Sequence, residues 1–125
     1  MPELQVDRSS VCMADDVVPH ASQIAPAKLT LRSIVAATIN SRYLPMPATW
    51  IMRANDRSGI PLAVLGLQFR PPQRHFLGAA PDTPLAELTG TEDCSVFYEY
   101  FLEVSPQLVV DAITAGAPLP DRWTH

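Results

Sequence analysis

Thirteen prolines divide this 125-residue chain into short runs, so no regular element can be long. They gather at 45–47, 71–72, 81–84 and 118–120, between the apolar stretches rather than inside them. Proline has no amide proton and fixes one backbone angle, so each cluster begins or ends an element.

The composition, 47% apolar and 18% charged, is that of a globular protein. A chain of this length is read as one domain that buries about two thirds of its unfolded surface. Net charge is −4, and the nine Lys and Arg form no block. The nearest approach to one is Arg70 and Arg74, split by two prolines, so a nucleic-acid partner is not expected. No apolar run reaches the roughly 18–20 residues that cross a bilayer, and no membrane partner is expected. The opening MPELQVDRSS carries an acid where a secretory signal carries bases, which makes cytoplasmic the expected location. Cys12 and Cys94 lie far apart without a CxxC pairing or metal-ligand spacing to His20, His75 or His125. They read as free thiols, with a single disulfide as the other option, and neither a metal nor a cofactor is expected.

Residues 1–24 hold no sustained period and read as a loose arm; residues 25–125 read as a single α+β domain. Leu31, Ile34, Val35, Thr38 and Ile39 follow i, i+3, i+4, i+7, i+8 and predict an amphipathic helix opened by Pro26 or Thr30. In TWIMRA, Trp50, Met52 and Ala54 alternate with Thr49, Ile51 and Arg53, the period of a strand. Asn55 to Gly59 is turn chemistry, and Ile60 to Phe69 is apolar on both faces, which predicts a central strand and a hairpin. Arg74 to Leu77 is a short strand, and TPLAEL a short helix stopped by Gly90. SVFYEYFLEV puts Val96, Tyr98, Tyr100, Leu102 and Val104 on one face and Phe97, Glu99, Phe101 and Glu103 on the other. Ser105 and Pro106 open a last helix, which Gly116 ends. Strands in succession without long intervening helices predict an α+β fold: an antiparallel sheet of about four strands, flanked by two main helices and one short helix.

No GxSxG, HExxH, phosphate loop or zinc pattern is present, so chemistry must come from dispersed strand residues. Glu99 lies between Phe97 and Phe101 on one strand face. If that face is buried, the carboxylate needs a partner, and Arg53 is the best placed. The two form either a cross-strand ion pair of structural value or a pocket in which Arg53 forks onto a ligand carboxylate and Glu99 moves a proton. His75 is a candidate base or a solvated loop residue, and Glu103 reads as a strand-end residue. Trp50, Met46 and Met52 read as core, and Trp123 as a docked anchor or an exposed contact.

TWIMR on the first strand of the hairpin, SGIPLA opening the second, and YEYFLEVSP on the aromatic strand together resemble chorismate lyase and the related ligand-binding domains of GntR-type regulators. TPLAEL is similar to the TPL-containing segment of that family. The resemblance implies an antiparallel sheet holding its ligand under covering helices, with Arg53 anchoring a carboxylate and Glu99 transferring the proton. On that basis the chain is expected to be a cofactor-free lyase, isomerase or binder for a carboxylate-bearing small molecule, cyclic or not. Arg53, Phe97, Phe101 and His75 would line its site. Element order and acidity also resemble the small secretion chaperones. That implies a protein partner or a homodimer, with the aromatic strand and final helix as the contact surface.

Overall fold

The computed structural model describes residues 4–9, 20–44, 47–90, 95–101 and 104–119. Strands β1 (Leu4–Arg8), β2 (Ser22–Ile24), β3 (Thr49–Ala54), β4 (Pro61–Gly66), β5 (Gln73–Phe76) and β6 (Ser95–Tyr100) form one sheet, ordered β2-β1-β6-β3-β4-β5. Helices α1 (Leu31–Ser41), α2 (Leu85–Thr89) and α3 (Pro106–Ala115) complete the α+β fold.

The sheet is larger than the four antiparallel strands expected, and it is mixed, because β1 runs parallel to β6. Both additional strands come from residues 1–24, the segment read as a loose arm. Leu4 and Val6 are buried while Gln5 and Asp7 on the other face are not, so β1 is a half-buried strand five residues long. It sits between β6 and the three-residue edge strand β2. Thus β4, expected at the centre, lies next to the edge strand β5.

One sheet face carries the larger core. Trp50, Met52, Leu65, Val96, Tyr98 and Tyr100 pack there against Leu31, Ile34 and Val35 of α1 and Leu85 of α2. Each such side chain, fully removed from water, contributes about 1.5–3 kcal/mol before entropy is counted. Helix α1 starts at Thr30, whose Oγ1 accepts from the Ser33 amide at 3.3 Å. It ends at Arg42 in the left-handed region, φ 58°, with the Arg42 amide donating back to the Ile39 carbonyl.

The opposite face carries a smaller core, in which Ile51, Val64, Phe101 and Val104 meet Val109 of α3. Val104 was expected to share a face with Tyr98 and Tyr100. Instead β6 stops at Tyr100, the Val104 amide donates to the Phe101 carbonyl, and Val104 falls on the α3 side. Pro106 occupies the first turn of α3 and lies so near Gly66 that a Cβ there would stand 2.7 Å from the proline ring.

The β3–β4 hairpin closes through Asn55–Ser58. Asn55 takes the left-handed conformation, φ 68°, and Asp56 Oδ1 accepts from the Ser58 amide and hydroxyl at 2.9 and 2.7 Å. Those two hydrogen bonds hold the Asp56 carboxyl below the usual carboxylate range. Gly59 is required for space rather than for its φ, since a Cβ would stand 1.5 Å from the Ala54 carbonyl oxygen.

Candidate functional site

The register of β3 on β6 places Arg53 opposite Phe97 and Ile51 opposite Glu99, so Arg53 and Glu99 are diagonal neighbours. Nε and Nη2 of Arg53 both lie 2.9 Å from Oε1 of Glu99. The remaining Nη1 donates to the Gly59 carbonyl at 3.1 Å. Their side chains are 16% and 22% exposed, so the pair is largely buried. The guanidinium is therefore committed to a carboxylate and a carbonyl of its own chain, and a ligand carboxylate would have to displace Glu99.

Phe97 and Phe101 share the Glu99 face, and both are buried. Phe101 sits in the core beneath α3, and Phe97 lies under the Arg57 guanidinium, 5.3 Å from the ring centroid. They fill the protein interior rather than wall a cavity. His75 is on the same face but in another place. The register runs Glu99, Ile51, Val64, His75 across four strands, which separates the imidazole from the carboxylate by about 14 Å. His75 Nε2 meets Gln73 Oε1 at 3.1 Å. The structure thus brings two of the five expected site residues, Arg53 and Glu99, into polar contact. Glu103, Trp123, Met46, Cys12 and Cys94 lie outside the described residues.

A cleft of about 320 Å³ opens on the other sheet face, where the C-terminal turn of α1 meets the β4–β5 connection. Ile39, Leu44, Leu67 and Pro72 supply apolar walls, the buried Thr38 the floor, and Arg42 completes the lining. Arg42 is exposed, and among the described residues nothing pairs with its side chain. The carbonyls at the end of α1 carry a partial negative charge that favours a cation there. Two of them are already satisfied: Thr38 O accepts from Ser41 Oγ at 2.9 Å, and Ile39 O from the Arg42 amide.

Behind the floor, the Tyr98 hydroxyl lies 2.7 Å from Thr38 Oγ1 and 3.4 Å from Met52 Sδ, while Thr38 Oγ1 donates to the Ile34 carbonyl at 2.8 Å. Thr38 has one proton, spent on Ile34, so Tyr98 donates to Thr38. The thioether remains a contact. Burial pushes the Tyr98 phenol well above its ordinary range, so it stays neutral.

A second, wider groove of about 640 Å³ runs between β2 and α1, past Ile24, Ala25, Ala36, Ala37 and Asn40. Its lining is uncharged, and Gln23, Ser33, Asn40 and Ser41 supply its hydrogen-bonding side chains. Val96, Phe97, Tyr98, Tyr100 and Phe101 of the aromatic strand are all interior. Ile60, Phe69 and Leu108 are exposed. Ile60 and Phe69 flank opposite ends of β4, about 20 Å apart, so the three do not join into one patch. Among the described residues no cluster of three or more His, Cys, Asp or Glu is placed to hold a metal, and no helix is long and apolar enough to cross a membrane. No protein-family model, curated protein or solved structure matches the chain.

The cleft was not visible in the sequence. Its walls come from Thr38–Leu44, Leu67 and Pro72, which no local pattern connects. Two signals were present: an arginine directly after the amphipathic helix, and a Pro-Pro pair leading into β5.

Proposed function

We propose that this protein binds a small carboxylate-bearing molecule with an apolar, cyclic body, in the cleft at the end of α1. The observation that carries the reading is that Arg42, whose side chain has no partner among the described residues, lines a cleft of about 320 Å³ together with Ile39, Leu44, Leu67 and Pro72. Ligand sites combine a mainly apolar lining with a few polar groups, and this volume lies at the lower end of their range of about 300–1,000 Å³. A planar guanidinium takes a carboxylate by two parallel hydrogen bonds, and Ile39, Leu44, Leu67 and Pro72 take the hydrocarbon.

The ligand class is the one that the resemblance to chorismate lyase implies, with its anchor moved from Arg53 to Arg42. Glu99 has no route to this cleft, since it faces the other side of the sheet. Among the described residues the lining holds no carboxylate, imidazole or thiol. The role proposed for this cleft is therefore binding. A thermal-shift screen of cyclic and aromatic monocarboxylates tests it. A saturable rise in Tm that Arg42→Ala removes, in a variant that still melts cooperatively, supports the reading. A rise that survives Arg42→Ala, or none across the set, refutes it.

A further inference from the structure

Helices α1, α2 and α3 all end in the same way, on a C-cap residue in the left-handed conformation whose amide donates back into the last turn. In α2 and α3 that residue is glycine, Gly90 at φ 72° and Gly116 at φ 67°. In α1 it is Arg42, at φ 58° and ψ 31°. The left-handed conformation brings Cβ too close to the following carbonyl oxygen, and glycine, having no Cβ, escapes that clash. Room around the cap is not what selects glycine: a Cβ added at Gly90 or Gly116 would meet nothing within 4 Å. Among the described residues the other two with a left-handed φ are Gly78 and Asn55, and asparagine tolerates it through local hydrogen bonds. Arg42 is the exception.

The fold needs the turn at this position but not the side chain. Reversing direction after α1 lets Leu44, two residues on, join the lining of the cleft, and glycine would make the same turn. An ion pair does not hold the arginine in place, since among the described residues its side chain has no partner. A cation at a helix C-terminus is favourable, yet that attraction is small against the penalty of the left-handed conformation. Helices α2 and α3 also end without a basic residue in the last turn. What the side chain does is line the cleft.

We infer that Arg42 is kept against its backbone preference for ligand recognition, so that the residue anchoring the ligand is also a strained point of the empty protein. This rests on the binding reading above and adds a conflict between stability and function at one position. Residues held in sparsely populated backbone conformations gather at ligand sites, where the surrounding structure fixes them before the ligand arrives. The fold without this side chain is therefore the more stable one, and it does not bind.

Urea unfolding of the ligand-free wild type, Arg42→Gly, Arg42→Ala and Gly116→Arg, followed by titration of hydrocinnamate, tests the inference. Arg42→Gly should raise the folding equilibrium constant about threefold, the relief of the left-handed conformation less the lost attraction to the helix end. Arg42→Ala keeps the Cβ and should give no rise. Gly116→Arg should lower the constant about threefold, although its Cβ meets no neighbour. Hydrocinnamate should bind the wild type and bind Arg42→Gly about tenfold or more weakly. An Arg42→Gly protein no more stable than the wild type overturns the inference and leaves the cleft reading standing. A more stable Arg42→Gly that binds hydrocinnamate as the wild type does overturns both. Stabilisation by glycine with no binding of hydrocinnamate to the wild type breaks the link between strain and ligand, and the inference falls.

Discussion

Both Nε and Nη2 of Arg53 converge on one oxygen of Glu99, and the third guanidinium nitrogen is held by the Gly59 carbonyl. The pair therefore ties three places together: β3, β6 and the turn of the β3–β4 hairpin. Between the 0.2–1 kcal/mol of an exposed pair and the larger cost of breaking a buried one, a double-mutant cycle with Arg53→Met and Glu99→Gln should give a coupling of about 1–2 kcal/mol. Urea unfolding of the four proteins measures it. A coupling near zero would mean that the pair contributes nothing to the fold.

Thr49 is a buried polar residue on the α3 side of the sheet. Its hydroxyl donates to the Val104 carbonyl and accepts from Gln68 Nε2 at 2.9 Å. Thr49→Val keeps the shape and orphans both partners, one of them on a Gln68 amide whose buried Oε1 has no partner among the described residues. The loss should be about 1–3 kcal/mol in chemical denaturation, although no charge is removed.

Gly66 marks the close approach of α3 to β4. An added Cβ would stand 2.7 Å from the Pro106 ring, 3.1 Å from Phe69 and 3.3 Å from Gln73. Phe69 can turn outward, whereas Pro106 is rigid, so Gly66→Ala must move the start of α3. A destabilisation of about 1–3 kcal/mol is expected, with hydrogen exchange faster in α3 than in α1.

Stability should fall at alkaline pH. Burial raises the Tyr98 phenol, and burial followed by the Asp7 charge raises that of Tyr43, both far above the value near 10 of an unfolded tyrosine. Above about pH 10 the unfolded chain releases these protons while the folded chain keeps them, so the stabilisation is complete below that pH and is lost as pH rises. Tyr98→Phe should cost about 0.5–1.5 kcal/mol at pH 8, by removing the donor to Thr38, and should flatten the decline above pH 10. Denaturation midpoints from pH 8 to 11 decide it, and an equally steep decline in the variant contradicts the account.

Much of the fold was legible because local signals agreed with one another. The Leu31–Ile39 spacing, the Thr30 cap and the Gly116 stop place α1 and α3, and alternation in TWIMRA and SVFYEY places β3 and β6. Strand β1 was missed although Leu4 and Val6 alternate with Gln5 and Asp7, because five residues are too few to stand out in a polar segment. Its parallel pairing with β6 joins residues about 90 apart, which no local pattern encodes. Arg53 and Glu99 were correctly paired by strand alternation. That same alternation cannot report depth, and Phe97 and Phe101 proved to be interior. The cleft, assembled from three separate segments around a helix C-cap, depends on tertiary geometry alone.

The central claim is that carboxylate recognition belongs to Arg42 and not to Arg53. Isothermal titration of the tightest monocarboxylate from a screen into the wild type, Arg42→Ala and Arg53→Ala tests it directly, once each variant is shown to be folded. The account predicts that Arg42→Ala weakens binding about tenfold or more while Arg53→Ala stays within about twofold of wild type. Loss of binding on Arg53→Ala with Arg42→Ala unaffected would contradict it and return the ligand to the Glu99 face of the sheet.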